Sequence, residues 1–135
     1  MKNVFIASHS HFASGIMDTV EFLLGKCENV TVFDAYLDSA SLEDKLDEFF
    51  QESHGKGQRI LISDLYGGSV NSTMYRYLNH DNTILLTGVN VAFLLELLAT
   101  PDEVDKEEME ELLKQSRELM KIVEIKNEEE QEDFF

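Results

Sequence analysis

The sequence predicts an α/β fold: a doubly wound, mainly parallel four-stranded sheet of order 2-1-3-4, with helices on both faces. Short, continuous apolar runs alternate along the first hundred residues with segments whose apolar residues recur every three or four positions. The continuous runs are typical of strands covered on both faces, as in a parallel sheet, and the second pattern is typical of amphipathic helices. Repeating this strand–helix order along the chain gives a doubly wound sheet with right-handed crossovers.

The predicted strands contain the apolar runs at residues 4–7, 30–33, 60–62 and 84–86. The first helix carries Phe12, Ile16, Val20 and Leu23 on one face and ends at Gly25, because glycine readily adopts the conformation that terminates a helix.

Capping and periodicity predict three further helices. Ser41 and Asp44 predict a capped start for the second helix. Its apolar face then consists of Leu42, Leu46, Phe49 and Phe50. The third helix has a stripe made of Val70, Thr73, Met74, Tyr77 and Leu78. Residues 93–98 are apolar almost all round, which predicts a deeply packed fourth helix.

The C-terminal part has a different pattern. Thr100 as N-cap, Pro101 at the first helical position and Glu103 at the third predict an acidic helix over residues 102–120. Residues 122–125 predict a short strand that could be exchanged between subunits. We therefore expect one domain over residues 1–125, with a core at 1–99 and a C-terminal helix and strand at 100–125, followed by an acidic tail at 126–135.

Composition excludes several classes of function. The chain has 27 acidic and 11 basic side chains, a formal net charge of −16, which argues against nucleic acid and anionic membranes as main partners. Cys27 is the single cysteine, so neither an intramolecular disulfide nor a multi-cysteine zinc site is possible. No segment predicts a signal peptide or a membrane span. We expect a soluble protein of a reducing compartment.

The most polar loops come directly after the first and third predicted strands. In an open α/β sheet, ligands bind beyond the carboxyl ends of the strands, where the strand order reverses. For the order 2-1-3-4 this point lies between the first and third strands. The loop at residues 8–11 reads Ser-His-Ser-His and the loop at residues 64–69 reads Asp-Leu-Tyr-Gly-Gly-Ser, and we expect the two loops to face each other.

These loops contain the parts of a phosphoryl acceptor. If Asp64 holds one ring nitrogen of His9, the other nitrogen becomes an exposed nucleophile. Gly67 and Gly68 permit close approach of the backbone, and Ser69 adds a hydroxyl and N–H groups at a helix start. No Walker lysine and no Gly-x-Gly-x-x-Gly pattern is present, so the sequence does not support nucleotide binding.

Each feature also has a plainer interpretation. His9 could be a hydrogen-bonded loop residue, Asp64 could cap a turn, and the Gly-Gly-Ser segment could be only a loop with a helix cap. A metal site made of His9 and His11 with His54 or His80 is disfavoured, because no carboxylate or cysteine spacing supports it.

Three segments together resemble a known family. They are residues 4–13 (VFIASHSHFA), 62–69 (ISDLYGGS) and 87–96 (TGVNVAFLLE). In this order and spacing they resemble the mannose-family IIA domains of the bacterial phosphoenolpyruvate-dependent sugar phosphotransferase system. The resemblance covers residues 1 to about 99.

The resemblance implies a phosphocarrier. His9, rather than His11, would accept a phosphoryl group from the histidine phosphocarrier protein and pass it to the IIB component of a sugar permease. Asp64 would be its carboxylate partner, and Gly67, Gly68 and Ser69 the phosphate-binding loop. The resemblance also implies that no metal, nucleotide or other cofactor takes part. The protein would be a cytoplasmic phosphotransferase and a homodimer, peripherally associated with a membrane permease.

Two related functions are the alternatives: the phosphoryl-donor subunit of dihydroxyacetone kinase, and a non-catalytic regulatory module of the same fold. A receiver domain is excluded, because its paired acidic pocket after the first strand is replaced by Ser-His-Ser-His. The sequence departs from the family pattern at Ser10, where glycine is common, and at Val70 and Ala92, where proline is frequent.

Overall fold

The computed structural model describes residues 1–125. Its strands are Lys2–His9 (β1), Val30–Ala35 (β2), Gln58–Ser63 (β3) and Thr83–Thr87 (β4). They form one four-stranded sheet of order β2-β1-β3-β4 in which every neighbouring pair is parallel. This confirms the predicted fold class and strand order.

The helices of the described residues are Phe12–Leu24 (α1), Leu42–Glu52 (α2), Ser69–Tyr75 (α3), Val91–Leu98 (α4) and Lys106–Glu118 (α5). They cover both faces of the sheet. Buried residues of α1, α4 and α5 share one core cluster with the sheet, and those of α2 and α3 share a second cluster with its other face.

The central strand shows why the apolar runs are continuous. Val4 and Ile6 of β1 lie in the first core cluster, whereas Phe5 and Ala7 lie in the second, and all four are buried. Because side chains alternate between the faces of a strand, a strand with helices on both faces needs apolar residues at every position.

Two predicted helix ends are confirmed. The Ser41 hydroxyl accepts a hydrogen bond from the Asp44 N–H at 3.2 Å and so caps the start of α2. Gly25 comes directly after the end of α1 with a φ of 86°, a conformation in the left-handed region that favours glycine.

The predicted start of the last helix is wrong. Instead of beginning at residue 102, α5 begins at Lys106, and the side chain of its N-cap, Asp105, accepts from the Glu108 N–H at 2.8 Å. The preceding residues are held by the start of β3. The Gln58 side chain accepts from the Val104 N–H at 2.9 Å and donates to the Val104 carbonyl at 2.7 Å, while Glu103 accepts from the Gln58 backbone N–H. Because these long-range bonds engage the backbone groups of Val104 and Gln58, residues 102–105 do not form the predicted first turn of the helix.

Residues 122–125, the predicted short strand, pair with none of the four strands of their own chain. Ile122 and Ile125 are 84% and 97% exposed. Exchange of this segment between subunits stays a prediction, and the predicted acidic tail at 126–135 lies outside the described residues.

Candidate active site

The site lies at the carboxyl ends of the three neighbouring strands β2, β1 and β3. His9 is the last residue of β1, and Ala35 at the end of β2 is its register partner. On the other side of β1, Ala7 pairs with Ser63, the last residue of β3, so Asp64 begins the adjacent loop. The loops after all three strands therefore meet around His9.

His9 is held by Asp64. The carboxylate oxygen Oδ2 of Asp64 lies 3.0 Å from Nδ1 of His9 and also accepts a hydrogen bond from the His9 backbone N–H at 3.0 Å. Because an ionised carboxylate only accepts hydrogen bonds, the neutral form of the ring carries its proton on Nδ1 and has its lone pair on Nε2. The His9 side chain is 39% exposed and that of Asp64 only 12%, so the imidazole ring faces solvent above a mostly buried anion.

Opposing effects act on the Asp64 carboxyl. Burial alone raises its pKa, but the backbone and ring hydrogen bonds from His9 outweigh burial and hold the pKa of Asp64 below its usual range. Oδ1 of the same carboxylate is buried and accepts no hydrogen bond from the described residues. The net result is an anion beside Nδ1 at neutral pH.

The predicted Gly-Gly-Ser loop does lie beside His9. Gly67 has a φ of 74°, in the region that favours glycine, and its N–H donates to the Asn71 side chain at 3.2 Å. A Cβ at Gly68 would stand 3.4 Å from Cε1 of His9, in van der Waals contact, so the loop backbone lies directly against the ring. The hydroxyl of Ser69 lies 3.3 Å from Nε2 of His9.

Tyr36, in the loop after β2, is a neighbour of His9 that sequence reasoning missed. Its hydroxyl lies 2.6 Å from the Ser69 hydroxyl, and its ring centroid lies 5.3 Å from that of His9. The strand order contained the relevant signal. It places β2 beside β1, on the side opposite β3, so the loop after β2 also reaches His9.

The two histidines of the first loop have different partners. Nδ1 of His11 lies 3.4 Å from Asp34, which also accepts hydrogen bonds from the N–H and hydroxyl of Ser14 in the first turn of α1. Burial raises the pKa of Asp34, but the hydrogen bonds from Ser14 and His11 lower it by more, so the net shift is downward. His11 is thus part of a separate pair.

His54 and His80 lie elsewhere, lining a cleft with Arg59 near the amino end of β3. Residues 1–125 bring together no group of three or more histidine, cysteine, aspartate or glutamate side chains that could hold a metal ion. In the same range, no helix is both long and apolar enough to cross a membrane.

Comparison with protein families identifies the class of protein. A family model described as "PTS system fructose IIA component" matches residues 3–131, nearly the whole chain, and the chain belongs to this family. The resemblance to the mannose-family IIA components of the sugar phosphotransferase system is confirmed.

Solved structures of this system are similar to the chain. A sugar phosphotransferase permease protein from Klebsiella pneumoniae is 28% identical with a TM-score of 0.81, and the match covers 90% of both chains. A IIA protein associated with the fucose utilization operon of Streptococcus pneumoniae is 26% identical with a TM-score of 0.71, covering 90% of this chain and 92% of the other.

A third structure shares the fold at lower identity. The mannose/sorbose-specific IIA subunit from Enterococcus faecalis is 18% identical with a TM-score of 0.78, and the match covers 94% of this chain and 98% of that one. A search of the curated proteins found no match.

Proposed function

We propose that the chain is a phosphocarrier that accepts a phosphoryl group on Nε2 of His9 from the histidine phosphocarrier protein and passes it to a IIB component of a sugar permease. One observation carries the proposal: Asp64 holds Nδ1 at 3.0 Å, which leaves Nε2 as an exposed nucleophile beside the Ser69 hydroxyl. The domain responsible is the unit at residues 1–125, and no cofactor is required.

The proposed transfer needs no separate acid or base, because every electron pair and proton is accounted for by the two imidazole rings and the phosphoryl group. The lone pair of Nε2 attacks the phosphorus of the donor phosphohistidine, the donor N–P bond breaks, and its electron pair returns to the donor imidazole. His9 keeps its proton on Nδ1, so its ring gains positive charge as the new N–P bond forms. The anion of Asp64 stabilises that charge, and the Ser69 hydroxyl donates to a phosphoryl oxygen.

The surface around His9 suits protein partners. Large apolar side chains of all three surrounding loops and of the start of α1 are exposed there, namely Phe12, Tyr36, Leu37, Leu65 and Tyr66. Tyr66 is 88% exposed. An apolar patch rimmed by polar residues is typical of a protein–protein interface. It supports docking of a donor protein and an acceptor protein on the same face.

The proposal includes a homodimer in the cytoplasm that works at the membrane only by binding a permease. Exposed apolar residues come after α5, among them Leu119, Met120, Ile122, Val123 and Ile125. They are not covered by the described part of their own chain, and a β-prone segment without a strand partner is suited to pairing with the edge of another sheet. A second copy of the chain supplies such an edge and an isologous interface.

A labelled chase tests the proposed function. The chain is phosphorylated with phosphoenolpyruvate, enzyme I and the histidine phosphocarrier protein, then repurified and mixed with a IIB component. We expect one label per chain that moves to IIB, and no labelling when the phosphocarrier protein is omitted. Failure of the phosphocarrier protein to label the chain would overturn the proposal. Transfer to a dihydroxyacetone kinase subunit instead of IIB would establish the alternative.

A further inference from the structure

Strand pairing places Tyr36 over the site. Ala35, the last residue of β2, is the register partner of His9, and its carbonyl accepts a hydrogen bond from the Ser10 N–H at 3.1 Å. Tyr36 then turns with a φ of 68°, a left-handed conformation that is unfavourable for a bulky side chain. Such a conformation persists when surrounding contacts hold it. The contacts of Tyr36 are with the Ser69 hydroxyl and the His9 ring.

The hydrogen bonds that connect Tyr36, Ser69 and His9 all donate in the same direction. In the neutral ring the carboxylate of Asp64 accepts from Nδ1–H, so Nε2 of His9 can only accept. Ser69, 3.3 Å away, must therefore donate its proton to Nε2. The Ser69 oxygen then accepts from the Tyr36 hydroxyl at 2.6 Å. The direction of the whole chain of bonds, from Tyr36 to Ser69 to His9, is set by the charge on Asp64.

We propose that Tyr36 is a positioning residue for phosphoryl transfer, which acts by orienting the hydroxyl proton of Ser69. This inference rests on the proposed function. A serine hydroxyl rotates freely about its C–O bond, and only its partners select a direction. With one lone pair of the oxygen engaged by Tyr36, the proton of Ser69 points toward Nε2. Hydrogen bonds in such a chain also polarise and strengthen each other.

The same arrangement serves after transfer. As the lone pair of Nε2 attacks phosphorus it can no longer accept the Ser69 proton, and the nearest new acceptors are the phosphoryl oxygens. The Ser69 proton turns to one of them while Tyr36 continues to donate to the Ser69 oxygen. No proton is gained or lost, because the change is a rotation of one O–H bond. Tyr36 therefore acts through Ser69 in both states.

A double-mutant cycle on the transfer rate tests this role. Tyr36→Phe keeps the ring and removes the hydroxyl, and we expect transfer to slow about two- to tenfold, the worth of one neutral hydrogen bond. Ser69→Ala should slow transfer more. Tyr36→Phe added to Ser69→Ala should cause no further loss, because the hydroxyl that it orients is gone. Tyr75→Phe is the control, since Tyr75 is exposed on α3 and its hydroxyl bonds to none of the described residues.

A structural role for Tyr36 would give different results. If Tyr36 only stiffens its loop, Tyr36→Phe should lower the thermal midpoint, and its effect on the rate should multiply with that of Ser69→Ala. Multiplying effects, or a Tyr36→Phe variant with the full rate, would overturn the inference while the proposed function stands. A wild-type chain that takes no phosphoryl group would overturn both.

A measurement on the free protein tests the chain of bonds without transfer. The ¹⁵N resonance of Nε2 in His9 reports the hydrogen bond that this nitrogen accepts. We expect it to move in Tyr36→Phe and in Ser69→Ala and to stay unchanged in Tyr75→Phe. An Nε2 resonance that is unchanged in Tyr36→Phe would contradict the coupling.

Discussion

Replacing Asp64 by asparagine isolates the charge of the carboxylate from its shape. The amide oxygen of the introduced asparagine can still accept from Nδ1 and from the backbone N–H of His9, as Oδ2 of the carboxylate does in the wild type. The negative charge is lost beside a ring that, in the proposed transfer, becomes cationic as the N–P bond forms. Folding should be retained, and transfer should slow.

The geometry gives the size of the effect. Two unit charges about 3 Å apart interact by about 1.4 kcal/mol in bulk water and about 5.5 kcal/mol at an effective dielectric constant of about 20. The His9 side chain is 39% exposed, and solvent screening moves the value away from the upper limit. A value of about 3 kcal/mol corresponds to a rate about a hundredfold lower. This lies at the lower end of the ~10²–10⁴-fold typical of a positioned acid–base partner.

Rapid-quench measurement of acid-labile phosphate on the chain gives the rate of transfer from the phosphorylated carrier protein. Asp18→Asn is the matched control, because it removes the same charge from an exposed position on α1 and should leave the rate unchanged. Circular dichroism establishes that both variants are folded. An Asp64→Asn variant within threefold of the wild-type rate would refute the reasoning and leave Asp64 as a turn residue.

Three further predictions concern the surroundings of the site and the chain end. His11→Ala should accept a full phosphoryl group, measured by intact mass, because His11 contacts Asp34 rather than His9; loss of acceptance would contradict this separation. The pKa values of Asp34 and Asp64 are lowered in the folded state. Their stabilising effect is thus present above the ordinary carboxyl pKa of about 4 and is lost as pH falls through the folded values. Urea denaturation should show that the free energy of unfolding falls as the pH is lowered through this range, and the fall should be smaller in Asp34→Asn. A chain ending at Glu118 keeps α5 and lacks the exposed apolar residues after it. It should sediment as a monomer while the full chain sediments as a dimer, and a dimeric truncated chain would remove the proposed role of the segment.

The sheet and the His9–Asp64 pair were predictable because they depend on short-range patterns and one general rule. Strands that are apolar at every position must have helices packed on both faces of the sheet. Accordingly, Val4 and Ile6 lie in one core cluster and Phe5 and Ala7 in the other. The carboxyl ends of parallel strands share one edge, and that rule is sufficient to bring the loops of His9 and Asp64 together from the sequence alone.

The start of α5 could not be predicted in the same way. Thr100, Pro101 and Glu103 satisfy local rules for a helix start, but Gln58 bonds both backbone groups of Val104 from a distance of 46 residues in sequence. A helix cap contributes only about 1 kcal/mol, and this local preference yields to such long-range contacts.

Tyr36 was missed for a related reason. Its placement depends on the pairing of Ala35 with His9 and on a positive φ, and tyrosine is not a residue for which a left-handed conformation is expected. By contrast, Ser10 occupies a position where the family pattern has glycine, and its φ of 51° shows the physical basis of that preference.

Identification of the phosphorylated atom tests the central claim most directly. After phosphorylation by phosphoenolpyruvate, enzyme I and the phosphocarrier protein, ³¹P NMR distinguishes phosphate on Nε2 from phosphate on Nδ1, and mass spectrometry of peptides locates the residue. The account predicts one phosphoryl group on Nε2 of His9, and none on the His9→Ala variant. Phosphate on Nδ1 of His9, or on His11 in either protein, would contradict it.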